Sequence, residues 1–312
     1  MKLSTLVTDY LAYKRALGQR FVTEGVILQS FCRQLGDGPV TDVTADRARA
    51  FIQGEHTSAA TAARKHRALA GLYRYASVRH QVALSSLPQA SPEHPSSFVP
   101  YLYSQEELKG LLDAAAATCS SRTWIESYVL RALLLVLYGA GLRLNEALAL
   151  NGADVDLEQT VLTIRRTKFY KTRLVPLGHD LARAVHEYRR RRDRQHPPGP
   201  TAPFFCFRNG RRVSASALER TFRRLRATAG VRREGGARHQ PRLHDLRHAA
   251  AVHRVMQWYR SGADLQRLLP HLATYLGHVD LSSTQRYLTL TPQLLNEASL
   301  RFERYAKEHA HD

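Results

Sequence analysis

The stretch Val161-Leu162-Thr163-Ile164-Arg165-Arg166-Thr167-Lys168-Phe169-Tyr170-Lys171-Thr172-Arg173-Leu174-Val175-Pro176-Leu177 decides how this chain is built. Val161 to Ile164 and Arg173 to Leu177 are short, apolar and rich in β-branched residues, and the polar turn at 167–172 between them predicts an antiparallel hairpin. Helical periodicity lies on both sides of it. Helices, a small antiparallel sheet and helices again make a mainly α chain of the α+β class, not a parallel α/β sheet. Phe204 to Phe207, just before the Asn209-Gly210 turn, is a candidate third strand.

Working back from the hairpin, helices are expected at about 143–150 and 124–139, and Ser104 with Glu107 forms a capping box that opens another. Between Leu87 and Pro100 the chain carries four prolines and little periodicity, the mark of a semi-extended linker. The organisation expected is a helical unit over 1–88, a linker over 89–100, a second domain over 101–291 and a C-terminal helix over 292–312. Four helices fill the first unit: Thr5 to Leu17 with Leu6, Val7, Tyr10, Leu11 and Leu17 as apolar positions; Val22 to Leu35 with Val26, Leu28, Phe31 and Leu35; Asp46 to Gln53 behind Thr44; and Thr57 to Val78. In the last, Ala60, Ala63, Leu69, Leu72 and Tyr75 can face a core, while Arg64, Lys65, Arg67 and Arg74 form a basic face with no acid among them. Such a face can neutralise phosphates without reading bases; the plainer alternative is a solvated surface.

Charge points the same way. The 312 residues hold 46 Lys plus Arg against 27 Asp plus Glu, a net charge of +19, which favours a polyanionic partner, usually nucleic acid. The longest apolar run, Val129 to Leu137 with Arg131 inside it, is too short to cross a bilayer, so no membrane role is expected. The opening Met1-Lys2-Leu3-Ser4-Thr5, followed by Asp9, Tyr10 and Lys14, has no signal-peptide core. Cys32, Cys119 and Cys206 are odd in number and scattered, which suggests thiols in a reducing cytoplasm instead of disulfides or a cysteine zinc site.

Four constellations could do chemistry. In Tyr138-Gly139-Ala140-Gly141-Leu142-Arg143-Leu144-Asn145-Glu146 a glycine-punctuated turn delivers Arg143 to a helix start, with Glu146 on the same side. An arginine fork there suits a phosphate, with the carboxylate holding it in place; an ordinary helix-end ion pair is the alternative. Lys168, with Lys171 nearby, occupies the hairpin turn, where a lysine can enter a groove and donate a proton to a leaving alkoxide. His244-Asp245-Leu246-Arg247-His248 sets a proton-handling group and a phosphate ligand three residues apart; His244 and His248 also have the spacing of zinc ligands, with Asp245 in the general-base slot. Leu276-Gly277-His278 is followed nine residues later by Tyr287, one of 14 tyrosines and by itself an ordinary half-polar core residue.

In this order the four pieces resemble the tyrosine recombinase, or phage integrase, family, whose pattern is Arg, Lys, His-x-x-Arg, His or Trp, then Tyr. The resemblance is densest over roughly 100–292 and extends more loosely to the N-terminal helices, which are similar to the family's core-binding domain. It implies that Arg143 and Arg247 clamp the scissile phosphate, Tyr287 attacks phosphorus, Lys168 protonates the leaving 5′-oxygen, His244 serves as general base, His278 bonds a phosphate oxygen and Glu146 supports them. Arg64, Lys65, Arg67, Arg74, Lys171 and Arg173 are the expected DNA contacts. The expected substrate is double-stranded DNA, worked on by a homotetramer at two paired sites through a 3′-phosphotyrosine and a Holliday junction, with no metal or other cofactor, in the cytoplasm at the nucleoid. Leu294, Phe302 and Tyr305 of the tail would then dock on a neighbouring subunit; the alternative is that the tail packs in cis on its own chain.

Compared with compact Xer-like members, Met256 to Arg260 and Leu268 to Pro270 look inserted, and Phe169 and Tyr170 replace the usual small residues of the turn, leaving Lys171 as the alternative lysine. Those departures look more like a mobile-element integrase or transposase. Two other readings share the residues: a DNA-binding protein that has lost catalysis, and a type IB topoisomerase-like relaxing enzyme.

Overall fold

The computed structural model describes residues 1–19, 21–55, 57–82, 87, 99–117, 124–165, 172–236, 239–278 and 299–300. The chain divides into two compact units, Met1–Ser97 and Phe98–Asp312. Most of the expected linker over 89–100 and of the expected helix over 292–312, with Leu294, Phe302 and Tyr305, lies outside the described residues.

Among the described residues the first unit holds four α-helices, α1 (Leu3–Ala16), α2 (Val22–Leu35), α3 (Ala45–Gln53) and α4 (Ala59–His80), with a 3-10 turn at Val40–Asp42. Thr44 and Ser58 start α3 and α4 by accepting the amide hydrogens of Arg47 and Thr61, each at 3.3 Å. The core gathers Leu6, Tyr10, Leu28, Phe31, Phe51, Leu69 and Leu72. Three apolar expectations miss. Leu17 falls past the end of α1 and is 55% exposed, and Val26 is 57% exposed because it sits off the stripe that Gly25, Leu28 and Phe31 make on α2. On α4 the buried stripe is Ala68, Leu69, Leu72 and Ala76, whereas Ala60, in the first turn, is exposed.

The second unit is built from α5 (Gln105–Ala117), α6 (Ser127–Gly139), α7 (Leu144–Ala149), β1 (Val155–Asp156), β2 (Val161–Ile164), β3 (Arg173–Pro176), α8 (His179–Gln195), α9 (Ala215–Thr228), α10 (Leu243–Arg260) and α11 (Leu265–Leu276). Ser104 and Glu107 exchange hydrogen bonds at the start of α5, Ser104 N to Glu107 Oε2 at 2.8 Å and Glu107 N to Ser104 Oγ at 3.1 Å. Helix α6, buried at Val129, Leu130, Leu133, Leu134, Val136 and Leu137, is the hub against which α5, α8 and α10 pack. The sheet has the order β1-β2-β3, antiparallel throughout, with Leu162 opposite Val175 and Ile164 opposite Arg173. Arg173 is thus the first residue of β3, paired with the last of β2.

Phe204 to Phe207 is not a strand. Pro203 and Cys206 make only isolated bridges, to Asn151 and Arg212, and the third strand of the sheet is the two-residue β1. Phe204 and Phe205 are both buried and stack with Tyr188, ring centroids 5.2 and 5.1 Å away, so consecutive side chains fill the core where a strand would have alternated. The segments that look inserted continue regular structure: Met256 to Arg260 complete α10, and Leu268 to Pro270 lie inside α11.

Candidate active site

Helix α6 ends at Gly139, and Gly141, at φ +57°, turns the chain so that Arg143 becomes the N-cap of α7. Glu146, in the first turn of α7, accepts from the Arg143 amide at 3.0 Å and from its Nη1 at 2.9 Å. One carboxylate therefore caps the helix and fixes the guanidinium, which stays 39% exposed while Glu146 is only 11% exposed.

Helix α10 brings the second arginine. Its start is held by Asp245, fully buried, which accepts from Arg242 N and Nη2, both at 2.9 Å. His244 is exposed on this first turn, and Arg247, one turn on, is 1% exposed. Arg247 reaches Gly141 O through Nη1 at 2.7 Å and Leu276 O through Nη2 at 2.6 Å, with His278 Nε2 3.0 Å from Nη2. Arginine has no lone pair to offer, so His278 Nε2 accepts, and a neutral His278 carries its proton on Nδ1.

The C-terminus of α11 joins these parts. Tyr275 O accepts from Arg173 Nε at 3.1 Å, Leu276 O from Arg247 Nη2 at 2.6 Å and Gly277 O from Arg143 Nη2 at 3.0 Å. Three consecutive carbonyls, at the negative pole of the helix, each hold a different arginine. Gly277, at φ +69°, ends the helix in the left-handed region; a Cβ there would lie 2.7 Å from Arg173 Nη1. Its neighbour His278 thereby leaves the helix beside the two arginines.

Arg173 does not take the place expected of a DNA contact. Its side chain is 12% exposed, and its fork meets both oxygens of Glu146, Nη1 to Oε1 at 3.0 Å and Nη2 to Oε2 at 2.8 Å. Burial alone would raise the Glu146 carboxyl, but the Arg173 fork, the Arg143 amide and the Arg143 guanidinium outweigh it and hold it down to about 2. Strand alternation carries the signal for this: Arg173 lies two residues from the fully buried Val175 and so shares its face, while Leu174 between them is 64% exposed.

The remaining expected residues are placed as follows. Although the residue as a whole is exposed, partial burial of its ring and then the positive charge of Arg247 lower His244 below its ordinary value. Asp245, the general base of the metal alternative, is engaged by Arg242, and His248 is buried while His244 is exposed. On α4, Arg64, Arg67 and Arg74 are exposed, but Lys65 turns inward to Phe51 O at 2.7 Å, where it closes the C-terminal end of α3. Along α8, whose sequence includes Arg189-Arg190-Arg191-Arg192-Asp193-Arg194, the side chains of Arg190, Arg191 and Arg194 are exposed, whereas Arg192 is buried against Asp193 and Pro203 O. Lys168, Lys171 and Tyr287 lie outside the described residues.

The phage integrase family model matches residues 102–293, more than half of the chain. A protein of Sinorhizobium fredii that carries the name integrase/recombinase y4rB is 37% identical over 96% of this chain and 96% of its own length. The tyrosine recombinase XerC of Rhizobium meliloti is 31% identical over 77% of this chain and 70% of its own. Among solved structures, a lambda integrase tetramer bound to a Holliday junction shares the fold with a TM-score of 0.63 and 19% identity, covering 92% of this chain and 77% of that one.

Proposed function

The chain belongs to the phage integrase family and is a site-specific tyrosine recombinase, an enzyme that cleaves and rejoins DNA; from that premise we propose how its own residues divide the work. Arg143 and Arg247 hold the non-bridging oxygens of the scissile phosphate, where negative charge grows in the transition state. The Tyr287 oxygen attacks phosphorus and the bond to the 5′-oxygen breaks, giving a 3′-phosphotyrosine and a free 5′-hydroxyl. His244, kept neutral by its surroundings, takes the tyrosine proton; Lys168 returns a proton to the leaving oxygen, and His278 bonds a phosphate oxygen once released from Arg247. Religation is the same step in reverse on a new 5′-hydroxyl, so bond energy is kept and no cofactor is called for.

The observation that carries this reading is the convergence of Arg143, Arg247 and His278 on one corner, the C-terminus of α11, with His244 a turn away from Arg247. The 39% exposure of Arg143 leaves it open to a phosphate, and the exposed arginines of α4 suit a duplex backbone. We further assign work on two paired sites by a homotetramer through a Holliday junction, at the nucleoid; the lambda integrase tetramer on such a junction supports this for the fold. Among the described residues no helix is long and apolar enough to cross a membrane.

A nicked suicide duplex carrying the element-end sequence tests the proposal. Wild type in EDTA should give a covalent protein–DNA band on a denaturing gel, and Tyr287→Phe should give none. A band that survives Tyr287→Phe reassigns the nucleophile. No band from wild type, with binding intact on a verified site, points to a binding protein without catalysis.

A further inference from the structure

We propose that Arg173 is a positioning residue for strand cleavage: it locks Glu146 and the α11 terminus together so that Arg143 is set for the phosphate before DNA arrives. The proposal rests on the reading above that Arg143 grips the scissile phosphate.

The geometry separates Arg173 from an ordinary buried ion pair. Its fork takes both Glu146 oxygens, at 3.0 and 2.8 Å, and Glu146 in turn holds the amide and Nη1 of Arg143. Its Nε bonds Tyr275 O, two residues before the carbonyl that receives Arg143 Nη2. Both anchor points of the Arg143 guanidinium are therefore fixed by the same side chain. Guanidinium supplies this where ammonium cannot, because three N–H groups in a rigid plane must meet two acceptor groups on different elements. Arg247 lies within 3.9 Å of Glu146 Oε2, so the same carboxylate faces all three arginines.

Its position in the chain adds a second consequence. Arg173 pairs with Ile164 as the first residue of β3 in the β2–β3 hairpin, five residues after Lys168 in the sequence. One side chain thus ties the base of that hairpin to the corner that holds the phosphate ligands. Without it, Glu146 keeps Arg143 as a partner but loses its hydrogen bonds to the sheet, and Tyr275 keeps only its hydroxyl bond to Pro176 O, at 3.2 Å, among the described hydrogen bonds to β3. A displacement of Arg143 by ~1 Å would then cost on the order of a hundredfold in the chemical step while leaving the DNA-binding surface in place.

The test compares wild type with Arg173→Met and Arg173→Lys on the suicide duplex, measuring DNA affinity, its salt dependence and the single-turnover cleavage rate at saturating DNA. Arg173→Lys keeps the buried positive charge and serves as the working variant if Arg173→Met does not fold. The expected result is a Kd within about twofold and an unchanged salt slope. The saturated rate should fall about a hundredfold for Met and about tenfold for Lys. A second duplex carries a neutral methylphosphonate at the scissile position. It removes the charge that Arg143 must meet, so the defect should shrink there at least about tenfold, which a general loss of folding would not produce. An unchanged saturated rate overturns the proposal. So does a salt slope lower by about one with the rate intact, since that marks a direct phosphate contact. A defect equally deep on both duplexes overturns it too, in favour of a purely structural role. Absence of cleavage by wild type on a verified site fails the underlying reading instead, and the proposal falls with it.

Discussion

Replacing Glu146 by glutamine should destabilise the second unit by an amount the site itself sets. Burial would raise this carboxyl, yet its arginine partners hold it at about 2 against an ordinary 4.5. A fall of that size, at about 1.4 kcal/mol per tenfold change in proton affinity, corresponds to ~3 kcal/mol of folding free energy carried by the charged form. Because the folded value is depressed, the contribution is complete above 4.5 and is lost as pH falls toward about 2. The Glu146→Gln penalty should therefore be ~3 kcal/mol at pH 7 and smaller by ~1 kcal/mol at pH 4. Both tryptophans, Trp124 and Trp258, lie in the same unit as Glu146, so denaturant unfolding followed by their fluorescence reports that unit alone. Glu187→Gln, on the exposed side of α8, controls for loss of a negative charge from a protein at +19. A penalty below about 1 kcal/mol at pH 7, or one that grows on acidification, would refute the holding of Arg143 and Arg173 by a charged Glu146.

Three further outcomes follow from single features. Gly277→Ala should cost about 2–3 kcal/mol by the same measurement, from the left-handed φ and from the Cβ that meets Arg173; Gly262→Ala, at φ +70° with nothing within 4 Å, should cost only ~1 kcal/mol, and equal costs would deny the contact. The double variant Arg64→Gln/Arg74→Gln should lower the log–log salt slope of duplex binding by about 1.8, and an unchanged slope removes the exposed face of α4 from the DNA interface. Burial holds His248 down to about 4, so it is neutral in the fold and its contribution is present above 6.5 and lost as pH falls through that range to about 4. Wild type should lose about 2–3 kcal/mol more than His248→Gln between pH 7.5 and 4.5, and parallel profiles would contradict a buried neutral ring.

The helices and hairpin were legible because their signals are local. Thr44, Ser104 and the 3.6-residue stripes act within one or two turns, and the pair Arg143 with Glu146 three residues on already implies a capped helix start. What sequence order left open is the direction in which like side chains face. Lys65 and Arg64 are neighbours on one basic helix, yet only Lys65 finds a carbonyl end to close. Arg192 sits in a run of arginines, but its place opposite Asp193 and Pro203 draws it inside. Arg173 has the composition of a DNA contact and the parity of a core residue, and parity wins because Glu146, from α7, supplies the missing charge. Phe204 and Phe205 mislead for the opposite reason: strand-like composition serves a core in which, among the described residues, no further strand offers them a ladder.

The arginines at the end of α11 are held by oxygens of the main chain, a fact with a bearing on how this protein tolerates change. Contacts of that kind are indifferent to which side chains stand at 275, 276 and 277 except through local packing and the glycine's backbone. They are acutely sensitive to count. One residue added or removed before Gly277 turns the helix end by about 100° and carries all three acceptors away together. Variation in this corner is therefore open in spelling and closed in length, and libraries aimed at new target sites should hold the register of α11 fixed while they diversify the surfaces around it.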